Sequence, residues 1–594
     1  MAVVAAVEII NHSFLATQLL TARGQEVPAR YRLQTPAISA PLKHALGDSA
    51  FGPKLKVQFE AIVRALSFLN VCVSRIVQAL VLDAVERDDA LPCRTFEQVV
   101  HATFNALAQD AGADFRPREG NVVFAGVQPR VRRLAAQLGI FPRAIEDKCL
   151  NVLKDAGLTY GALSNPRSFL AQGMTRDLVA CVKKQAGRLL FQLLSYAGGL
   201  RWTPGRRWQP EEEERAKTAR ALARAWVECI KQDRADEIPD EVRGLYLQVT
   251  GKDVGDNVLG LIVDDPLDHD SLSVVVKTAT WLKQQGATVK SLFPVPTGLV
   301  HVRFDQQGVV DAFPSIKEAV KSRMGSSKSK KKLKTAIFSA MFPGAREPIT
   351  ARTTSFTSNG YVASFAKTAG GKALSKHRRG KQGPPPKPVF LDDLDQERRT
   401  ELAGLNAVVV DPNLDAVAYC ALVDSDKRMQ LNRATMLRAR GTRKRQHAIQ
   451  RARGDTQVSF RGELMSVHQV DQHRHSGRIG SCVDMHELAA LVSEDMDALT
   501  TTWEFDADTR WREAAWRSEQ GEERVLDAWF KAFNRLMGRP GETVVYLGKG
   551  SVLLLHSTTD ARVQGETQDS STNCTSAEPR FCAKSSSSTA TSSS

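Results

Sequence analysis

The sequence predicts a multidomain α+β protein in which a helical half precedes a smaller α/β domain. Three observations predict it. Apolar residues recur at helical spacing through residues 51–250, strand-like runs appear after residue 258, and a proline-rich stretch, Gly380–Pro388, separates an α/β pattern from what precedes it. At 594 residues the chain exceeds what one core accommodates, so several domains are expected. Hydrophobic residues make up 42% and the mean hydropathy is -0.27, which fits globular domains with real cores.

The helical half rests on periodicity. Phe59, Ile62, Val63, Leu66, Leu69, Val73, Ile76, Val77 and Leu80 recur every three or four residues and share one helical face. No uninterrupted apolar run reaches the roughly 18 residues needed to span a membrane. The longest candidate, Ile62–Val85, carries Arg64, Asn70, Arg75, Gln78 and Asp83 and reads as an amphipathic or buried helix, so no membrane partner is expected. The N-terminal segment, residues 1–50, lacks the basic region of a secretory signal. Further helices are expected over Thr95–Asp110, Pro129–Leu138, Thr175–Ala197 and Glu211–Gln232.

Residues 251–379 form a mixed region. Val258–Val263 and Gly298–Phe304 read as strands, with a helix near Ser273–Gln285 between them. Residues 351–366 alternate in the β manner around a turn at Ser358-Asn359-Gly360. Residues 380–404 are a linker, because proline blocks helix and central strand alike. In residues 405–555, strands at Leu405–Val410, Ala416–Val423 and Thr543–Leu547 accompany helices from Met485 to Leu499 and from Arg510 to Met537. Residues 556–594 are rich in Ser and Thr, bury no core and are expected to be disordered.

Charge is unevenly spread. Lys321–Lys334, Lys372–Lys387 and Leu431–Gly454 together hold 21 Lys and Arg and no acid, more than the net +15 of the whole chain. The cations concerned include Lys328, Lys330, Lys331, Lys332 and Lys334, then Arg378, Arg379 and Lys381, then Arg438, Arg440, Arg443, Lys444 and Arg445. Clustered cations suit a polyphosphate partner such as DNA or RNA; solvated loops or a nuclear targeting signal are the plain alternatives. The nine cysteines form no C-x-x-C pair, are odd in number and are widely spaced, which predicts a reducing compartment without a disulfide framework.

One residue stands where catalytic carboxylates often stand. Asp411 is the first polar side chain after Val408-Val409-Val410, and Pro412 enforces the break. A strand fixes the backbone and lets such a group emerge at the sheet edge. A strand-ending turn is the alternative. A metal-dependent nuclease needs at least two more carboxylates converging there.

The ordered blocks of the chain resemble the Fanzor family, eukaryotic relatives of the transposon-encoded TnpB nucleases. Arg75–Leu82 is similar to the family's N-terminal helical segment, and Ser291–Thr297 with the following His301–Asp305 is similar to its Phe/Leu-Pro block before a strand. Thr353–Phe365 resembles the strand pair preceding the nuclease domain, with Ser358-Asn359-Gly360 replacing an acidic turn. Val408–Asn413 resembles the first RuvC motif, with Asn413 where Gly is usual. Trp511–Met537 and Val544–Ser551 resemble the RuvC helix and its following Gly-containing strand. The resemblance implies a helical recognition region, β-rich wedge-like segments and an RuvC/RNase H-like α/β domain. It further implies RNA-guided DNA cleavage, with guide RNA and DNA as partners, Asp411 as a catalytic metal ligand, Mg²⁺ as cofactor and the nucleus as location.

The sequence also departs from that pattern. The family's second carboxylate, its C-x-x-C zinc ribbon and its final Arg-Asp segment have no counterpart after Ser551, so the nuclease domain is expected to be incomplete and truncated, and zinc is not expected. Glu542, Asp560 and Glu566 are the nearest acids and receive no assignment. A non-catalytic nucleic-acid-binding relic and an unrelated basic nuclear α-rich protein are the alternative functions. Asp471–His475, with His486 and Glu487 downstream, reads as an exposed loop rather than a metal site, and Gly548–Ser551 as a turn rather than a phosphate loop. Trp511, Trp516 and Trp529 read as core rather than as platforms for bases.

Overall fold

The apolar periodicity of the first half becomes a single 36-residue helix, α1 (Gly52–Arg87), in the computed structural model. The structure describes residues 38–47, 51–89, 95–114, 122–202, 209–254, 267–296, 298–324, 330–345, 353–367, 396, 400, 406–411, 416–422, 427–537 and 543–547. Pro53 occupies the first turn of α1, where its missing N–H costs nothing. Between Ala61 and Val85 every residue except Arg64 is buried. The helix is more continuous than the sequence reading allowed, being long and apolar enough by length and composition to cross a membrane. Here that apolar window is wholly enclosed by protein, and several of its polar side chains have protein partners, though Asn70 Oδ1 has none among the described residues. Ser67 Oγ donates to Val63 O (2.6 Å), Gln78 Nε2 donates to Ile479 O (2.7 Å), and Arg75 pairs with Asp495 (3.2 Å).

The chain forms two units. The larger contains α1 and the helices that build its core with it: α2 (Phe96–Asp110), α3 (Val122–Gln137), α4 (Ser164–Ala197), α5 (Pro210–Lys231), α6 (Asp240–Thr250) and α7 (His269–Gln284). Helix α3 starts before Pro129 rather than at it. Burial of Phe124, Val127 and Val131 along one face outweighs the roughly 3 kcal/mol that an interior proline costs. Asp268 caps α7 by accepting the Ser271 N–H at 2.8 Å.

The same unit holds a four-stranded antiparallel sheet in the order β1-β4-β3-β2: β1 (Ile38–Pro41), β2 (Val302–Asp305), β3 (Thr353–Ser358) and β4 (Val362–Lys367). The strand expected from Gly298 begins only at Val302, and Val258–Val263 lies outside the described residues. Helices α8 (Gln306–Ala312), α9 (Pro314–Met324) and α10 (Lys330–Met341) follow β2. Phe304, Phe356 and Phe365 from the sheet meet Phe59, Phe338 and Phe342 in one aromatic cluster, with Phe342 and Phe356 centroids 4.9 Å apart. The expected turn links β3 to β4. Gly360 has φ 83°, and Asn359 Oδ1 accepts the Tyr361 and Val362 N–H groups at 3.0 and 2.9 Å.

Residues 433–535 also belong to the larger unit. They form α11 (Arg433–Arg440), α12 (Thr442–Asp455), the hairpin β8 (Gln457–Phe460) and β9 (Glu463–Ser466), α13 (Val467–Asp471), α14 (Met485–Asp506) and most of α15 (Thr509–Met537).

The smaller unit carries a mixed sheet of β5 (Asn406–Asp411), β6 (Ala416–Leu422), β7 (Arg428–Asn432) and β10 (Thr543–Leu547), in the order β10-β5-β6-β7. β5, β6 and β7 are an antiparallel meander, and β10 runs parallel to β5, Thr543 opposite Asn406 and Leu547 opposite Val410.

Candidate nucleic-acid interface

Asp411 is the last residue of β5 and lies opposite Tyr419 of β6. Because β10 runs parallel to β5 and ends at Leu547, the two strands finish at the same edge of the sheet. Parallel strands bring residues distant in sequence to one crevice beyond their carboxyl ends. Among the described residues no group of three His, Cys, Asp or Glu side chains converges to hold a metal ion. Pro412, Asn413 and Gly548–Ser551, which follow the two strands, lie outside them, as does the Asp411 side chain. The described residues thus do not make up a metal centre.

The basic runs divide differently. Lys328, Arg378, Arg379 and Lys381 lie outside the described residues. Lys330, Lys331, Lys332 and Lys334 occupy the first turns of α10. Arg438 and Arg440 lie on α11, and Arg443, Lys444 and Arg445 on α12. Gly441 joins these two helices with φ 59°, a left-handed conformation that favours glycine. Arg438, Arg443 and Lys444 are exposed, while Arg440 and Arg445 are half-buried. Helix α12 buries no residue fully.

Both ends of this basic segment are clamped. At one end, Arg440 Nη2 donates to Glu522 Oε1 of α15 at 2.7 Å, and Ser518 Oγ donates to the Arg440 carbonyl. Gly521 allows that approach, since a Cβ there would lie 2.1 Å from Ala439 O. Nearby Glu519 has its carboxyl pushed up by burial and by Glu523, with Arg445 and Arg440 opposing. At the other end, Arg453 donates to Asp471 and, at 3.0 Å, to Asp506. Arg474 reaches Asp506 at 3.5 Å and Asp495 at 3.3 Å, and Asp495 pairs with the wholly buried Arg75. A chain of alternating charges therefore runs from α12 to α1. Burial raises the carboxyls of Asp471 and Asp506, and Arg453 beside them pulls the other way.

The Asp471–His475 segment is not an exposed loop. His473 Nδ1 and His475 Nε2 lie 2.7 Å from the two carboxylate oxygens of Glu494 on α14, and these hydrogen bonds hold the Glu494 carboxyl below its usual range. Two histidines share one carboxylate here, an arrangement the sequence hid because Glu494 is some twenty residues downstream on another element. Trp511 donates Nε1–H to Phe505 O at 2.9 Å, and Trp529 stacks on Phe533 with centroids 5.2 Å apart. These two rings are thus engaged with protein.

No protein-family model matches the sequence, and no curated protein matches it either.

Proposed function

We propose that the chain is a homologue of the Fanzor-type RNA-guided DNA endonucleases, binding guide RNA and target DNA in the nucleus, with Mg²⁺-dependent cleavage at an RNase H-like sheet edge that includes Asp411. The observation that carries this reading is the parallel pairing of β10 with β5 beside an antiparallel meander. An RuvC-type site requires acidic groups from separate stretches of chain to meet at one edge. Two parallel strands ending together supply such an edge with Asp411 on it. The α11–α12 cations supply the phosphate-neutralising surface that such a protein needs.

Purification of the full chain from cells, followed by sequencing of bound RNA, tests the binding half. A homogeneous RNA species is expected, and random RNA alone sinks the reading. Cleavage assays with that RNA and a matched DNA target test the catalytic half. Mg²⁺-dependent cutting lost in Asp411→Ala is expected. Retention of the RNA without cutting by the wild type assigns a binding protein instead.

A further inference from the structure

We infer that the outward face of α12 is a contact strip for a phosphodiester backbone, carried by Arg443, Lys444 and Arg451, while Arg440 and Arg453 are the struts that mount it. The inference rests on the nucleic-acid-binding reading above and adds which cations of the run make contact.

At about 3.6 residues per turn, Arg443, Lys444 and Arg451 fall within one sector of roughly 100° around the helix axis. All three are exposed, and none has an ion-pair or hydrogen-bond partner among the described residues. The opposite sector holds Arg445, Ile449, Ala452 and Arg453, all half-buried against the protein. Burial and pairing thus split the cations into two sets that the sequence presents as one run.

Local stability does not account for the outward set. A 14-residue helix without a fully buried residue gains little from a core, and isolated helices of that length are marginal. Arg443 and Lys444 stand in its first turn, where the helix dipole disfavours positive charge. The clamps through Arg440 and Arg453 compensate by fixing the backbone at both ends. What they hold in place is a rigid row of unneutralised charge.

The chemistry of the row selects its partner. Its sector contains His447 and Gly454 besides the cations, with Ala448 and Asp455 just beyond its edge, and no large apolar side chain, so it lacks what a helix needs to lie in a lipid interface. Arg443 and Arg451 are eight residues apart, about 12 Å along the axis. A duplex presents one negative charge per roughly 1.7 Å of its axis, so the row faces several phosphates at once.

The test uses the full chain, freed of nucleic acid at high salt, with a 20-base-pair RNA·DNA heteroduplex and a polyglutamate peptide as probes. Fluorescence anisotropy from 50 to 200 mM salt gives the slope of log affinity against log salt. Arg443→Gln/Lys444→Gln/Arg451→Gln is expected to reduce that slope by about 2 to 3 on the heteroduplex, since each lost phosphate contact contributes about 0.9. Amide exchange across 442–455 stays unchanged in this variant. Arg440→Gln and Arg453→Gln are expected to do the reverse, keeping the slope while speeding amide exchange. A wild-type slope in the triple variant overturns the strip and leaves the nucleic-acid reading standing. Absence of salt-dependent binding by the wild type overturns both. Polyglutamate binding as tight as heteroduplex binding, and equally weakened in the triple variant, assigns the strip to an acidic protein and overturns it.

Discussion

Helix α1 keeps one guanidinium where water does not reach it, and helix α12 keeps five cations and buries none of them fully. In α1, the charge of Arg75 is a cost that the fold must meet. Burial depresses its affinity for the proton, Asp495 offsets this only in part, and Nε and Nη1 still lack partners in the surrounding core. In α12, Arg445 and Arg453 face acids of the protein, and Arg443, Lys444 and Arg451 face solvent. The contrast teaches where to look for function. Charge that the fold has already neutralised explains structure, and charge that it has mounted without neutralising is where a partner is to be sought.

The contrast breaks most visibly at Asp495. Asp495→Ala leaves Arg75 buried and unpaired, so a loss of about 3–5 kcal/mol is expected in chemical denaturation. Arg75→Met combined with Asp495→Leu removes both charges, and recovery of part of that loss would show that the pair specifies packing more than it stabilises. Gly521→Ala comes next. Its methyl group meets the Ala439 carbonyl, so about 1–3 kcal/mol is expected, with faster amide exchange in α11.

A pH-dependent effect follows from Glu494. Its carboxyl is held low by His473 first and His475 second. A carboxyl whose folded value is depressed contributes stability above the ordinary glutamate value of about 4.3, and that contribution is lost as pH falls through the folded value. Glu494→Gln is therefore expected to lower Tm at neutral pH, with the difference from wild type closing in acid. The smallest effect on stability belongs to the strip. Arg443→Gln is expected to stay within about 0.5 kcal/mol of wild type, even as its salt slope drops by about 0.9. If single substitutions on the strip destabilised the fold as Asp495→Ala does, the distinction between the two helices would collapse.

What was legible in the sequence follows the same division. Helix α1 was visible because burial leaves a periodic trace, and the β3–β4 turn because Asn359-Gly360 has local chemistry. Helices α11 and α12 left no such trace: their residues are held by charges on distant elements, so the run reads only as basic. Three strands of the smaller unit lie within a residue or so of the bounds that the sequence predicts, but their order has no trace in it. Parallel pairing between β5 and β10 has no short-range signature. Asp411 was found by its position after Val408–Val410, and the edge it shares with β10 emerged only from the register.

That register also dictates an order of events during synthesis. β5, β6 and β7 leave the ribosome together and can pair at once, whereas the partner for the free side of β5 arrives only after α11 to α15 have been made. Until then β5 presents an unpaired row of N–H and C=O groups, the kind of edge on which chains associate wrongly. A polypeptide interrupted within α15 keeps the meander and loses its fourth strand, leaving β5 open to pairing with a neighbouring copy.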